Sequence, residues 1–79
     1  MKTVTVEYFA ILRECAGQDQ ESLSTSASTA GELFTELEER YGFPELNSIK
    51  VAINDEFSAL DAPLKEGDVI VFIPPVAGG

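Results

Sequence analysis

Val4, Val6 and Tyr8 alternate with Thr3, Thr5, Glu7 and Phe9, the period-2 pattern of a strand with unequal faces. The next segment, Ala10 to Ala16, sets Leu12 beside Ala16 and Ile11 beside Cys15 on neighbouring helical rows, and Gly17 supplies a stop. Between Gln20 and Thr25 Leu23 is the only large apolar anchor, which predicts a weak edge strand followed by a hydroxyl-rich loop. Thr29-Ala30-Gly31-Glu32 matches a capping box, in which a hydroxyl and a carboxylate satisfy free N–H groups at a helix start. Behind it Leu33, Leu37 and Tyr41 recur every fourth residue with Phe34 beside them, predicting an amphipathic helix that ends at Gly42, with Pro44 preventing its resumption.

Ile49, Val51 and Ile53 alternate with Lys50 and Ala52, and Asn54-Asp55-Glu56 supplies turn chemistry before a second strand over Phe57-Ser58-Ala59-Leu60. Pro63 to Asp68 reads as another turn. It leads into Val69-Ile70-Val71-Phe72-Ile73, whose apolarity at every position predicts a central strand covered on both faces, and Pro74-Pro75 ends it. This order of elements has no repeat and no linker, so it predicts one α+β domain over residues 1–79. A single main helix would lie across one face of a mixed sheet.

The chain has 79 residues, 5 basic and 14 acidic, for a formal net charge of −9, with no His and one Cys. A Cys/His zinc site, a four-Cys cluster, a His-based triad and an internal disulfide are therefore excluded. The charge disfavours phosphate backbones and anionic lipid surfaces, and Lys2, Arg13, Arg40, Lys50 and Lys65 are scattered singly, so neither nucleic acid nor membrane is an expected partner. The longest strongly apolar run, Val69 to Ile73, is far shorter than the roughly 20 residues of a membrane helix. The start meets Glu7 too early for a secretory signal, which makes the cytoplasm the expected location.

Chemistry concentrates in residues 74–79, Pro74-Pro75-Val76-Ala77-Gly78-Gly79. Two prolines remove two backbone donors and fix φ, so the chain must leave the sheet in an extended, stiff direction. Gly78 and Gly79 carry no side chain to obstruct a narrow channel. An ionised carboxylate is a poor electrophile, so reaction at Gly79 requires activation by another protein, for example as a mixed anhydride with AMP. Glycine leaves room for nucleotide and sulfur donor at the same carbonyl.

Leu64-Lys65-Glu66-Gly67-Asp68-Val69, then Phe72-Ile73-Pro74-Pro75-Val76-Ala77-Gly78-Gly79, together with Phe9-Ala10-Ile11-Leu12-Arg13-Glu14, resemble the small subunit of molybdopterin synthase, the MoaD family. The resemblance implies a ubiquitin-like β-grasp fold with a projecting tail. It implies a sulfur carrier that is not an enzyme on its own, the catalytic groups being supplied by the large subunit of molybdopterin synthase. Gly79 would be adenylated by an ATP-dependent (MoeB-like) activating enzyme and converted to a thiocarboxylate with a sulfur-donor enzyme. It would then give sulfur to cyclic pyranopterin monophosphate in molybdenum cofactor biosynthesis. Gly78, Ala77, Val76 and Pro75 carry over as residues in partner channels, and Phe72 and Ile73 as docking contacts. No cofactor or metal is expected on the chain itself, ATP being used by the activating enzyme.

Two other readings share these features: a β-grasp carrier serving thiamine or another sulfur-transfer pathway, and a non-covalent ubiquitin-like interaction module. Elsewhere ordinary structural roles are expected. Cys15, at a helical position beside apolar residues, reads as a small hydrophobe. Glu36 and Arg40 should form an exposed pair worth roughly 0.3 to 0.5 kcal/mol, and Asp55, Glu56 and Asp61 lack calcium-loop spacing.

Overall fold

The computed structural model describes residues 1–43 and 49–74. The strands are β1 (Lys2–Tyr8), β2 (Gln20–Thr25), β3 (Lys50–Ile53), β4 (Glu56–Ser58) and β5 (Val69–Ile73), and the helices α1 (Ala10–Ala16) and α2 (Ala30–Tyr41). They form one sheet of order β2-β1-β5-β3-β4. The first and last strands are parallel neighbours at its centre, and the other pairings are antiparallel. This is the β-grasp arrangement expected above, with α2 as the main helix.

Register partners share a face of a sheet, and the pairings Val4↔Leu23, Val6↔Ile70, Tyr8↔Phe72 and Val51↔Phe72 gather one set of side chains. All of these are buried, in one cluster with Leu12 of α1 and Ala30, Leu33 and Leu37 of α2. The opposite face takes the other parity: Thr5, Glu7, Ala52, Phe57, Val69, Val71 and Ile73. None of these is buried. The expectation of a doubly covered β5 is corrected accordingly: it is central, but its odd positions remain half-exposed.

Helix α2 begins as its sequence dictates. Thr29 Oγ1 accepts from the Glu32 backbone N–H at 3.2 Å, while Glu32 Oε1 accepts from Ser28 N at 2.9 Å, one residue before the position an ideal capping box would use. The next free donors, Ala30 N and Gly31 N, reach the carbonyls of Ala62 and Leu60 at 3.1 and 2.7 Å. A Cβ at Gly31 would lie 3.1 Å from the Leu60 oxygen, so glycine permits this approach. The same contact explains why β4 ends at Ser58 rather than at Leu60: the chain turns there to cap α2. The helix stops at Gly42, at φ 69°, as expected. Pro44, named as its second stop, lies outside the described residues.

The β3–β4 connection is a two-residue hairpin, because Ile53 pairs with Glu56 and both Asn54 and Asp55 adopt positive φ, at 53° and 71°. Asn54 then fastens the hairpin to β5. Its Nδ2 donates to Asp68 Oδ1 at 3.0 Å and its Oδ1 accepts from Val69 N at 3.0 Å. Asp68 Oδ2 accepts from Lys65 N at 2.8 Å, closing the turn ahead of β5. Glu36 and Arg40 pair at 3.4 Å as expected. Glu36 also accepts from Thr25 Oγ1 at 2.8 Å, which makes it a tie between α2 and β2.

Candidate functional site: the end of the central strand and the open sheet face

Strand β5 runs parallel to β1, and both end at the same edge of the sheet. Its last residues mark two environments. Phe72 is fully buried, with its ring 5.0 Å from that of Phe34, whereas Ile73 is half-exposed on the open face opposite Lys50. Phe72 therefore offers no surface to a partner, which corrects its expected role as a docking contact; it is core. Ile73 is placed where contact can occur. Pro74 is buried and anchors the point where the chain leaves β5. Pro75, Val76, Ala77, Gly78 and Gly79, expected to be the channel residues and the reactive terminus, lie outside the described residues.

The open face continues the surface that Ile73 begins. Lys50↔Ile73, Ala52↔Val71 and Ala52↔Phe57 place Ile73, Val71, Ala52 and Phe57 on one side of β5, β3 and β4. Phe57 is 75% exposed. Phe9, which follows the rung Tyr8↔Phe72, is 47% exposed and adds an aromatic at the corner where β5 ends. Among the paired residues of this face Glu7 and Lys50 are the only charged side chains, so it is close to neutral although the chain carries −9. Among the described residues most of the acids sit on helices and turns. The apolar part of this face spans β5, β3 and β4, while the part on β1 and β2 carries Thr3, Thr5, Gln20, Ser22 and Ser24.

Phe9 and Phe57 were not singled out from the sequence. The signal for Phe57 was present: a two-residue Asn54-Asp55 hairpin fixes the parity that puts it opposite Ala52 and away from Val51. The signal for Phe9 was the alternation itself, which sets it with Thr3, Thr5 and Glu7 opposite Val4, Val6 and Tyr8.

The remaining ionisable groups are arranged for structure. Tyr8 Oη and Tyr41 Oη both donate to Glu21 Oε2, at 2.5 and 2.6 Å. Burial, and then the hydrogen bond to Glu21, push the Tyr8 phenol well above the ordinary tyrosine range and raise that of Tyr41, so neither serves as an acid or base near neutrality. Cys15 is half-buried against the core and free. Among the described residues no group of three His, Cys, Asp or Glu side chains is placed to hold a metal. At the far end of the sheet an open depression of about 220 Å³ lies between Asn54, Glu56, Pro63 and Lys65, remote from the end of β5.

A family model described as the ThiS family matches residues 6–79. The chain belongs to the ThiS family. It is also 34% identical over 85 residues to a Mycobacterium tuberculosis protein named molybdopterin synthase sulfur carrier subunit, each chain being covered completely. Among solved structures, this ThiS-family chain is similar to one in the complex of subunits 1 and 2 of molybdopterin-converting factor from Helicobacter pylori. The TM-score is 0.66 and the identity 34%, over 98% of this chain and 99% of that one. It is similar as well to small archaeal modifier protein 1 from Methanosarcina acetivorans, with a TM-score of 0.78 and 29% identity, covering 100% and 98% of the two chains. Among the described residues, no helix of this ThiS-family chain is long and apolar enough to cross a membrane.

Proposed function

We propose that this chain is the sulfur-carrier subunit of a molybdopterin synthase, and that it works in the cytoplasm. The observation that carries the reading is full-length similarity to proteins of that name in a chain whose central strand leads, through Pro74-Pro75, to a terminal Gly78-Gly79. In the proposed chemistry the Gly79 carboxylate attacks the α-phosphate of ATP on an activating enzyme, forming an acyl adenylate and releasing pyrophosphate. Sulfide delivered by a donor enzyme then displaces AMP to give the thiocarboxylate, whose sulfur attacks cyclic pyranopterin monophosphate; hydrolysis of the thioester so formed leaves the sulfur on the pterin and returns the Gly79 carboxylate. The chain contributes no acid or base to these steps. Catalytic groups come from the large subunit, the kind of partner named in the Helicobacter pylori complex.

The open face gives this reading a docking surface. Ile73, Val71, Phe57 and Phe9 flank the start of the tail, so apolar contact there would hold the subunit while Pro75, Val76, Ala77 and Gly78 enter the partner's channel. The test is the intact mass of the chain before and after incubation with ATP, an activating enzyme and a sulfur donor. A gain equal to exchanging one oxygen for sulfur, absent when Gly79 is deleted, is the expected result. No gain with an enzyme competent on another carrier would overturn it.

Likeness to small archaeal modifier protein 1 favours a second reading, in which the activated Gly79 is passed to a lysine amine. Isopeptide-linked conjugates that form with ATP but without any sulfur donor would select it. Sulfur transfer to an acceptor other than the pyranopterin would select a thiamine-type or related carrier instead.

A further inference from the structure

The ladder between β1 and β5 ends at Tyr8↔Phe72, one rung before Ile73, which pairs with Lys50 alone. On the β1 side, then, side-chain packing takes over from backbone pairing in fixing how Ile73 and Pro74 leave the sheet. That packing is tied to one oxygen atom. Glu21 lies on the edge strand β2, opposite Val6 and so on the covered face. Its Oε2 accepts from Tyr8 Oη of β1 at 2.5 Å and from Tyr41 Oη of the last turn of α2 at 2.6 Å. Gln18 Nε2 donates to Tyr41 Oη at 3.2 Å. The two tyrosine rings meet edge to face at 6.1 Å, and both touch Phe43, at 6.0 and 5.8 Å. Phe43 contacts Phe34 at 5.6 Å, and Phe34 contacts Phe72 at 5.0 Å.

A carboxylate is an expensive way to close the edge of a core unless the groups it orders matter. From this geometry we infer that Glu21 is a positioning residue for the reactive tail: by holding Tyr8 and Tyr41 it sets the aromatic packing around Phe72 and so the direction in which Pro74 launches the chain. A fixed launch direction lowers the ordering cost of threading the tail into a partner channel. The inference rests on the carrier reading for its kinetic consequence and on the chain alone for its structural one.

Two measurements test it. In the free chain, Glu21→Ala should accelerate amide exchange at Phe72 and Ile73 about tenfold more than at Val4 and Leu33, the mark of local rather than global opening. With the activating enzyme, below the variant's unfolding transition, it should raise KM about three- to tenfold while kcat stays within about twofold. Glu21→Gln keeps an acceptor oxygen and should stay within about twofold of the parent on both readouts. Should Glu21→Ala fail to fold, Tyr41→Phe, which removes one hydroxyl, carries the same comparison. Uniform acceleration of exchange, an unchanged KM, or a glutamine variant as impaired as the alanine one overturns the inference. A parent chain that is never adenylated defeats the carrier reading instead, and the exchange comparison then decides alone.

Discussion

Strand β5 shows two faces made from the same kind of residue and put to opposite uses. Ile70 and Phe72 are fully buried under α1 and α2, while Val69, Val71 and Ile73 are half-exposed on the other side. A sheet needs one covered face to fold. Apolar side chains on the second contribute little to stability while they face water, so Val71, Ile73 and the largely exposed Phe57 are better understood through what they meet in a complex. The comparison also separates two adjacent positions expected to share one role: Phe72 is core, and Ile73 lies partly exposed on the open face.

The sharpest way to break this comparison is at the end of the strand it concerns. Deleting Gly78 and Gly79 should abolish the proposed thiocarboxylate formation while shifting the thermal midpoint of the domain by less than about 2 °C, since two glycines bring no side chain to the core. Mass spectrometry and calorimetry on the same sample would check both halves. One added residue after Gly79 should have the same effect.

Next in size is the covered side. Phe72→Ala should cost about 3 to 5 kcal/mol, a large share of the stability of so small a domain, and urea titration followed by far-UV circular dichroism would show it. On the open side, Ile73→Asp and Phe57→Asp should cost about 1 to 2 kcal/mol, less than Phe72→Ala, yet weaken association with the large subunit tenfold or more, as titration calorimetry would show. Equal costs at Phe72 and Ile73 would erase the distinction between the faces.

Smaller effects sharpen the picture at its margins. Thr29→Ala removes the acceptor for Glu32 N and should cost about 1 kcal/mol, read as a lower urea midpoint with an unchanged slope. Ala10 holds φ at 52° where β1 turns into α1, beside the exposed Phe9. Ala10→Gly should therefore stabilise the domain, by about 0.5 to 1 kcal/mol in the same titration, by relieving a left-handed residue with a Cβ.

Some of this molecule was legible before any coordinates. Thr29 and Gly42 bound α2 because capping and a left-handed stop are local chemistry, and a turn at Asn54-Asp55 follows from two residues that tolerate positive φ, although Glu56, expected in that turn, is the first residue of β4. The alternation of Val4, Val6 and Tyr8 marks the buried face of β1 for the same reason: its neighbours Thr3, Thr5 and Glu7 are polar.

Where that contrast vanishes, so does the signal. In Val69-Ile70-Val71-Phe72-Ile73 every residue is apolar, and only the register with Val6, Tyr8 and Val51, fixed by strands far away in the chain, decides that Phe72 goes inward and Ile73 outward. The meeting of Glu21 with Tyr8 and Tyr41 was hidden likewise, being a contact among three elements separated by 13 and 20 residues along the chain. The tail is the opposite case. Its expected chemistry resides in the order Pro74-Pro75-Val76-Ala77-Gly78-Gly79 itself, because reactivity at a chain end depends on what its last residues lack: backbone donors at the prolines and side chains at the glycines.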